Sequence, residues 1–238
     1  MYEPVSLSAV SALATQNACF VDATWFLPAD GRGGLDAYIA RRAPGAVFFD
    51  IDAVCDPTAQ LPHMAPGAAR FARWLAENGL TGDERFIVYD QNTYLAAARV
   101  WWTLRRFGCD ARILDGGLEA WRKAGGTLKS GPPRSREVAF ERPLRLIRDD
   151  RVTYADILHH LDRNDAVIVD ARSPGRFRGT EAEPRPGLRS GRIPGSLNVP
   201  FQSVIGADGK LLKEDALRRV LPDIPRDARV ITTCGSGV

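Results

Sequence analysis

The chain has 238 residues, of which 45% are hydrophobic and 26% are charged, an ordinary composition for a folded globular protein. Its 32 basic and 29 acidic side chains leave a net charge of +3, which is too small to indicate a nucleic-acid partner. No apolar run approaches the roughly 20 residues of a membrane span. The four cysteines form no CxxC pair, so we expect no metal site, no disulfide framework and a reducing, cytoplasmic location.

Taken in chain order, the first half of the sequence alternates between helical apolar spacing and short apolar runs. These patterns predict helix 7–15, strand 20–22, helix 35–42, strand 46–49, helix 66–77, strand 86–89, helix 94–107 and strand 112–114. Gly79 favours the end of the third helix. Short apolar strands between helices indicate a mostly parallel sheet that is covered on both faces.

A stretch rich in Pro and Arg at residues 129–151 has no clear period, which is typical of a linker. The second half resumes with a predicted helix 154–161, a strand 166–170 and a helix 214–221. Between them lies "SPGRFRGTEAEPRPG", which we interpret as a Gly/Pro-rich loop.

The two halves resemble each other. "CFVDATW" matches "VIVDARS", "RRAPGAVFFDI" matches "GRIPGSLNVPF", and "RFIVYDQ" matches "RVITTCG", in the same order and roughly 150 residues apart. We therefore predict two copies of one unit, with an N-terminal domain at 1–128, a linker at 129–151 and a C-terminal domain at 152–238. Because the second copy stops soon after "TTCG", we expect it to lack its last helix and strand.

Cys234 follows a strand-like run and begins the loop "CGSGV". Gly235 and Gly237 accept positive φ, so consecutive N–H groups in the loop could turn inward as an anion-binding nest. A sulfur held in such a nest is stabilised as the nucleophilic thiolate. The alternative is a small buried apolar residue at a strand end. Asp90 stands at the matching position of the first copy, so one copy could be catalytic and the other a scaffold.

Several motifs resemble those of the 3-mercaptopyruvate sulfurtransferases, in the two-domain rhodanese superfamily, over residues 21–238. They include "FFDID", "HMAPGA", "DGGLEAW", "GRFRGTEAEPRPG", "GRIPGSLNVPF" and "CGSGV". The resemblance implies an α/β fold of two tandem rhodanese-like domains and a cysteine persulfide intermediate without a cofactor. It also implies sulfur transfer from 3-mercaptopyruvate to a thiol such as thioredoxin, or to cyanide. Thiosulfate-using rhodaneses carry basic residues after the cysteine, so Gly235 and Ser236 favour mercaptopyruvate.

The resemblance also assigns the substrate contacts. It implies that Arg176 and Arg185 hold the substrate carboxylate, which suits the planar fork of a guanidinium. The loop residues Gly235, Gly237 and Val238 would line the same site. We expect Arg178 to make a structural ion pair. Considered without the resemblance, arginines in such a loop are more often solvated surface residues.

A second group belongs to the first copy. The resemblance implies a relay of Asp52, His63 and the loop residue Ser236 beside Cys234, which would activate the substrate thiol or protonate the leaving enolate. Asp50 lies close enough in the sequence to be an alternative to Asp52. His159 and His160 are adjacent on a predicted helix, and we interpret them as surface or packing residues.

The leading hypothesis is therefore a mercaptopyruvate sulfurtransferase with Cys234 as its nucleophile. Two alternatives stay open, a thiosulfate sulfurtransferase and a non-catalytic rhodanese-like module or inactive fragment. A cysteine-dependent phosphatase is a weaker fourth idea. Its loop needs an arginine at its end, and the sequence up to Val238 neither supports that idea nor completes the test.

Overall fold

The computed structural model of the protein describes residues 7–9, 18–133, 144–185 and 187–235. The chain divides into two compact units, one ending at Asp149 and the next beginning at Asp150. Each unit contains its own parallel sheet, so the α/β fold class predicted from the alternating elements is confirmed.

In the first unit the described strands form one parallel sheet in the order β1-β5-β4-β2-β3. Its strands are β1 (Leu7–Ser8), β2 (Ala18–Asp22), β3 (Val47–Phe48), β4 (Arg85–Tyr89) and β5 (Asp110–Leu114). The central strand β4 is buried from Phe86 to Tyr89, as expected for a parallel strand with helices on both faces.

The helices that cover this sheet are α1 (Gly34–Ala40), α2 (Ala68–Glu77), α3 (Ala97–Arg106) and α4 (Gly117–Lys123), with a 3₁₀ turn at Pro28–Asp30. Helix α2 buries Phe71, Trp74 and Leu75 in the core, and each contributes about 1.5–3 kcal/mol through apolar burial. The helix ends where predicted, because Gly79 takes a φ of 68° and donates its N–H to Ala76 O.

The predicted helix 7–15 is wrong at its start. Leu7 and Ser8 form β1, because their backbone pairs in parallel with Ile113 and Leu114 of β5. An edge strand of two residues is too short to show a strand period in the sequence. Most of the remaining positions of that predicted helix lie outside the described residues.

Within its described residues, the second unit has a three-stranded parallel sheet in the order β7-β6-β8. Its elements are α5 (Tyr154–Arg163), β6 (Val167–Asp170), α6 (Pro174–Arg178), β7 (Leu197–Asn198), a 3₁₀ turn at Phe201–Val204, α7 (Glu214–Val220) and β8 (Val230–Thr233). Helix α5 begins with a capping box, in which Thr153 and Asp156 exchange side-chain to backbone hydrogen bonds.

Helix α6 lies inside the segment that was predicted to be a loop. Ser173 caps its first turn, Pro174 occupies the first helical position, and Gly179 ends it with a φ of 77°. The sequence carried these capping signals, but five residues are too few for a helical period.

The strand registers confirm the internal repeat. Asp22 at the end of β2 lies opposite Tyr89 of β4 and Phe48 of β3. Asp170 at the end of β6 holds the same place, opposite Thr233 of β8 and Asn198 of β7. The residues that follow β4 and β8, Asp90 and Cys234, therefore occupy equivalent positions in the two sheets.

None of the helices in the described segments combines the length and apolar character needed to cross a bilayer.

Candidate active site

The loop after β4 shows what this position of the repeat does. The Asp90 carboxylate is buried and accepts hydrogen bonds from four backbone N–H groups. Oδ1 accepts from Asn92 N at 3.3 Å and Tyr94 N at 3.0 Å, and Oδ2 accepts from Ala96 N at 3.1 Å and Ala97 N at 3.0 Å. Burial raises the pKa of Asp90, and the four amides oppose that rise. The loop is an anion cradle that is filled by its own carboxylate.

The cradle explains why α3 begins later than predicted. Thr93 and Tyr94 take left-handed φ values of 67° and 64°, which are uncommon for residues other than glycine. This turn aims the amides of the loop and of the helix start at Asp90, so regular helix begins only at Ala97. The positive end of α3 adds to the stabilisation of an anion there.

Cys234 takes the position of Asp90 in the second unit. It follows Thr233 directly and is partly buried. Cys234 therefore occupies the position at which the first unit presents a carboxylate to four backbone amides. Ser236, Gly237 and Val238, the remaining loop residues of the proposed site, lie outside the described residues. The nest predicted for the loop "CGSGV" therefore stays a prediction.

Arg176 reaches the start of the cysteine loop from helix α6. A Cβ added at Gly235 would collide with the Arg176 guanidinium and lie 3.2 Å from its Cζ. Only glycine leaves this space to the arginine. The structure thus brings one of the two predicted carboxylate ligands next to Gly235, the residue that follows Cys234. The other, Arg185, is half-buried in the segment that follows α6.

Arg176 belongs to a buried ion-pair network. Its Nη2 donates to Glu183 Oε2 at 2.6 Å, and Glu183 Oε1 accepts from Arg172 Nη1 at 2.7 Å. Arg172 also donates from Nη2 to Asp170 Oδ2 at 2.5 Å. The hydrogen bond from Arg176 is the main reason that the pKa of Glu183 is lowered, so Glu183 stays ionised. Arg178, predicted to make the structural ion pair, is exposed and pairs with no described residue, because Glu183 selects Arg172 and Arg176.

Among the described residues, no cation contacts the equivalent acid of the first unit. Asp22 is buried and accepts from Thr24 N at 2.9 Å, Thr24 Oγ1 at 2.5 Å and Gln91 Nε2 at 3.2 Å. Burial is the main cause that raises its pKa to about 6. Thr24 therefore stands where the second unit has Arg172, and a neutral hydrogen-bond set replaces an ion pair.

Asp52 and His63 of the first unit are in direct contact. His63 Nε2 lies 2.5 Å from Asp52 Oδ1, and Trp25 Nε1 donates to Asp52 Oδ2 at 2.8 Å. The Trp25 and His63 rings meet edge to face. His63 is buried with a left-handed φ of 58°, and Arg99 donates to its carbonyl. The carboxylate and the tryptophan together fix the orientation of the imidazole.

Asp50 has a different task. Its Oδ1 accepts from Asp52 N at 2.9 Å and Ala53 N at 3.3 Å, which holds the turn that presents Asp52. Of the two aspartates considered from the sequence, Asp52 is thus the one that contacts His63.

The paired histidines are packing and surface residues, as predicted. His160 is buried with its Nδ1 at 2.5 Å from Asp165 Oδ1, whereas His159 is exposed.

Sequence reasoning missed the role of Trp25 and the ion pairs that Glu183 forms with Arg172 and Arg176. The signal for Trp25 was a tryptophan at a strand end, where its N–H needs a partner. For Glu183 the signal was the presence of both arginines and glutamates in "GRFRGTEAEPRPG", because a charge that becomes buried needs an opposite partner.

Residues 13–124 and 153–238 match the rhodanese-like domain. The chain belongs to the rhodanese family. It is 38% identical over 233 residues to the human 3-mercaptopyruvate sulfurtransferase, which covers 94% of this chain and 77% of that relative. The Escherichia coli K12 3-mercaptopyruvate sulfurtransferase is 39% identical over 212 residues, 88% of this chain and 74% of the relative. These relatives confirm the resemblance to the mercaptopyruvate branch of the rhodaneses.

The tandem rhodanese fold matches a solved structure closely. The crystal structure of SseA from Escherichia coli, described as a 3-mercaptopyruvate enzyme with the rhodanese fold, has a TM-score of 0.86 at 34% identity. The match covers 98% of this chain and 90% of SseA. The two rhodanese-like domains expected from the repeat are therefore confirmed.

Proposed function

We propose that this rhodanese transfers the sulfur of 3-mercaptopyruvate to a thiol acceptor through a persulfide on Cys234. One observation carries the proposal. Cys234 occupies the register position at which the first unit holds the Asp90 carboxylate with four backbone amides. A cradle of this kind would stabilise a thiolate and an anionic persulfide in the same way.

The first step is a displacement at sulfur. The Cys234 thiolate attacks the sulfur of 3-mercaptopyruvate, a sulfur–sulfur bond forms and the carbon–sulfur bond breaks. The electron pair of the broken bond stays with the carbon and leaves as the enolate of pyruvate. One proton then converts the enolate to pyruvate, and Cys234 retains the outer sulfur as a persulfide.

We assign the charged residues to the two ends of this donor. Arg176 and Arg185 bind the carboxylate. Asp52 orients His63, and His63 with Ser236 forms the relay that takes the thiol proton and returns it to the enolate. Gly235, Gly237 and Val238 supply backbone contacts around the sulfur.

The second step regenerates the enzyme. An acceptor thiolate attacks the outer sulfur, and the Cys234 thiolate leaves. We assign this role to a dithiol protein such as thioredoxin in a reducing compartment such as the cytoplasm, with cyanide as an artificial acceptor. The two steps predict ping-pong kinetics.

Steady-state kinetics of the full chain with two donors tests this function. We expect kcat/KM for 3-mercaptopyruvate to exceed that for thiosulfate by at least about tenfold, because only the former has a carboxylate for the arginine fork. Pyruvate release should match sulfur transfer in amount, and Cys234→Ser should abolish both. A preference for thiosulfate would overturn the assignment of the donor. No transfer from either donor would favour a non-catalytic rhodanese module.

A further inference from the structure

The Arg176 guanidinium has one edge occupied and one edge directed at the cysteine loop. Glu183 takes the edge formed by Nε and Nη2, with Nη2 at 2.6 Å and Nε at 3.2 Å from Oε2. The other edge, formed by Nη1 and Nη2, lies against Gly235, where an added Cβ would stand 3.5 Å from Nη1. Nη1 makes no hydrogen bond with any residue that the structure describes.

Glu183 is itself held in place by a second arginine. Arg172 donates to it at 2.7 Å and is fixed in turn by Asp170 and by the carbonyl of Gly191, at 2.8 Å. The side chains of Glu183 and Asp170 are only 4% and 1% exposed. Asp170 lies opposite Thr233, the residue before Cys234. A continuous chain of ion pairs therefore connects the strand ends of the site to Arg176.

We propose that Glu183 is a positioning residue that fixes the plane of the Arg176 guanidinium next to Gly235, so that its second edge can bind a carboxylate at the cysteine loop. A guanidinium binds a carboxylate best through two parallel N–H bonds, which needs a fixed plane. Without Glu183, the flexible Arg176 side chain would have to be ordered by each donor that binds. This inference rests on the proposed function, because it concerns the carboxylate of the sulfur donor.

A purely electrostatic role for Glu183 makes the opposite prediction. Removing a carboxylate leaves the site more positive, which by itself strengthens the binding of an anionic donor. Loss of positioning weakens that binding. The sign of the change in KM in Glu183→Gln therefore separates the two roles.

The first experiment measures kcat and KM for 3-mercaptopyruvate in the full chain. We expect Glu183→Gln to raise KM about tenfold and to change kcat by less than about threefold, because it removes an interaction that binds ground state and transition state alike. The matched control is Glu181→Gln, which alters an exposed glutamate that accepts from Ser173 and does not contact Arg176. An unchanged or lower KM in Glu183→Gln would overturn the proposal.

A double-mutant cycle tests whether Glu183 acts through Arg176. In an Arg176→Ala background we expect Glu183→Gln to change KM by less than about twofold, since the group that it positions is absent. A tenfold rise that persists in this background would show that Glu183 acts by another route and would contradict the proposal.

A second readout does not depend on the donor. The rates at which iodoacetate and iodoacetamide alkylate Cys234 differ in the charge of the reagent, and their ratio reports a cation held beside the sulfur. We expect Glu183→Gln to lower this ratio towards that of Arg176→Ala, and a higher ratio would overturn the proposal. If the wild type fails to use 3-mercaptopyruvate, the proposed function fails, while the alkylation ratio still decides the role of Glu183.

Arg172→Lys provides a second variant in case Glu183→Gln does not fold. It keeps a positive charge beside Asp170 but removes the fork that also holds Glu183. We expect the same direction of change in KM and in the alkylation ratio, with a smaller size. No change in either quantity in a folded Arg172→Lys would count against the proposal.

Discussion

The loops after β4 and β8 occupy the same place in two copies of one unit, yet they present different chemistry. In the first unit, four backbone amides hold the Asp90 carboxylate, so the anion cradle is already filled. In the second unit, the equivalent residue is Cys234, the proposed carrier of the transferred sulfur. The comparison teaches that the position after this strand carries a structural carboxylate in the first unit and the proposed nucleophile in the second.

The acids beside these loops differ in the same way. Asp22 is held by neutral groups, and burial raises its pKa to about 6. Asp170 forms an ion pair with Arg172. Arg172 also pairs with Glu183, which in turn pairs with Arg176. In the second unit, arginines therefore lie near the cysteine loop. In the first unit, the described donors to Asp22 are uncharged. This difference supports the proposal that only the second unit binds an anionic donor.

Removing the carboxylate from the filled cradle should have the largest effect on stability. Asp90→Ala leaves four buried N–H groups without their acceptor, so we expect the free energy of unfolding of the first unit to fall by about 3–5 kcal/mol. Urea unfolding followed by tryptophan fluorescence measures this, because all five tryptophans lie in the first unit.

The control for Asp90→Ala is Asp110→Ala. It removes an exposed ion pair with Arg85 and should cost less than about 1 kcal/mol. Equal losses of unfolding free energy in the two variants would mean that the hydrogen bonds from the four amides to Asp90 add no stability.

Asp22 should make the stability of the first unit depend on pH. Its folded pKa of about 6 lies above the ordinary value of 3.8, so its contribution is most favourable below pH 4 and is lost as the pH rises through 6. The charged form costs about 3 kcal/mol at pH 7. We therefore expect the stability of Asp22→Asn relative to wild type to rise by about that amount between pH 4 and pH 7.

Urea unfolding of both proteins across this pH range measures the effect of Asp22. Only the difference between the two proteins is informative, since other acids titrate in both. Parallel stability curves for wild type and Asp22→Asn would show that Asp22 is not the buried acid that the neutral donor set implies.

The Asp52–His63 pair should affect turnover more than donor binding. We expect His63→Asn to lower kcat about 100-fold, because it removes the acid–base group of the relay. Asp52→Asn should lower it about tenfold, since the ring remains but loses the acceptor that orients it. Asp50→Asn is the matched control and should stay within about threefold, because its Oδ1 can still accept from the turn amides. Steady-state pyruvate release measures all three, and equal losses in the Asp50 and Asp52 variants would contradict these roles.

Gly235→Ala should have a modest effect, mainly on donor binding. Its Cβ collides with the Arg176 guanidinium, so we expect KM for 3-mercaptopyruvate to rise about tenfold with a smaller change in kcat. Gly67→Ala is the control, because a Cβ there meets no atom within 4 Å. If Gly235→Ala leaves KM unchanged, Arg176 does not approach the loop as closely as the structure indicates.

The sequence contained enough to predict the repeat, the strand ends and the position of Cys234 directly after a strand. Three ordered similarities fixed the register, and the register placed Asp90 and Cys234 at equivalent positions. These features follow from apolar patterns and turn residues, which are local. The Asp52–His63 contact was expected only from the family resemblance, because the two residues are eleven positions apart in irregular chain.

The features that escaped prediction depend on contacts that no local pattern shows. Helix α3 starts later than the apolar pattern predicts, because the backbone before it turns to donate hydrogen bonds to Asp90. Helix α6 is shorter than two turns, so its apolar period is not visible. The ion pair was assigned to Arg178, but the fold of the loop gives Glu183 to Arg172 and Arg176.

The central claim is that Cys234 receives the sulfur. Mass spectrometry of the full chain after incubation with 3-mercaptopyruvate tests it directly. We predict one added sulfur of about 32 Da on the peptide that begins at Val230, removed by dithiothreitol and absent in Cys234→Ser. Sulfur on Cys19, Cys55 or Cys109 instead, or an adduct that survives in Cys234→Ser, would contradict the account.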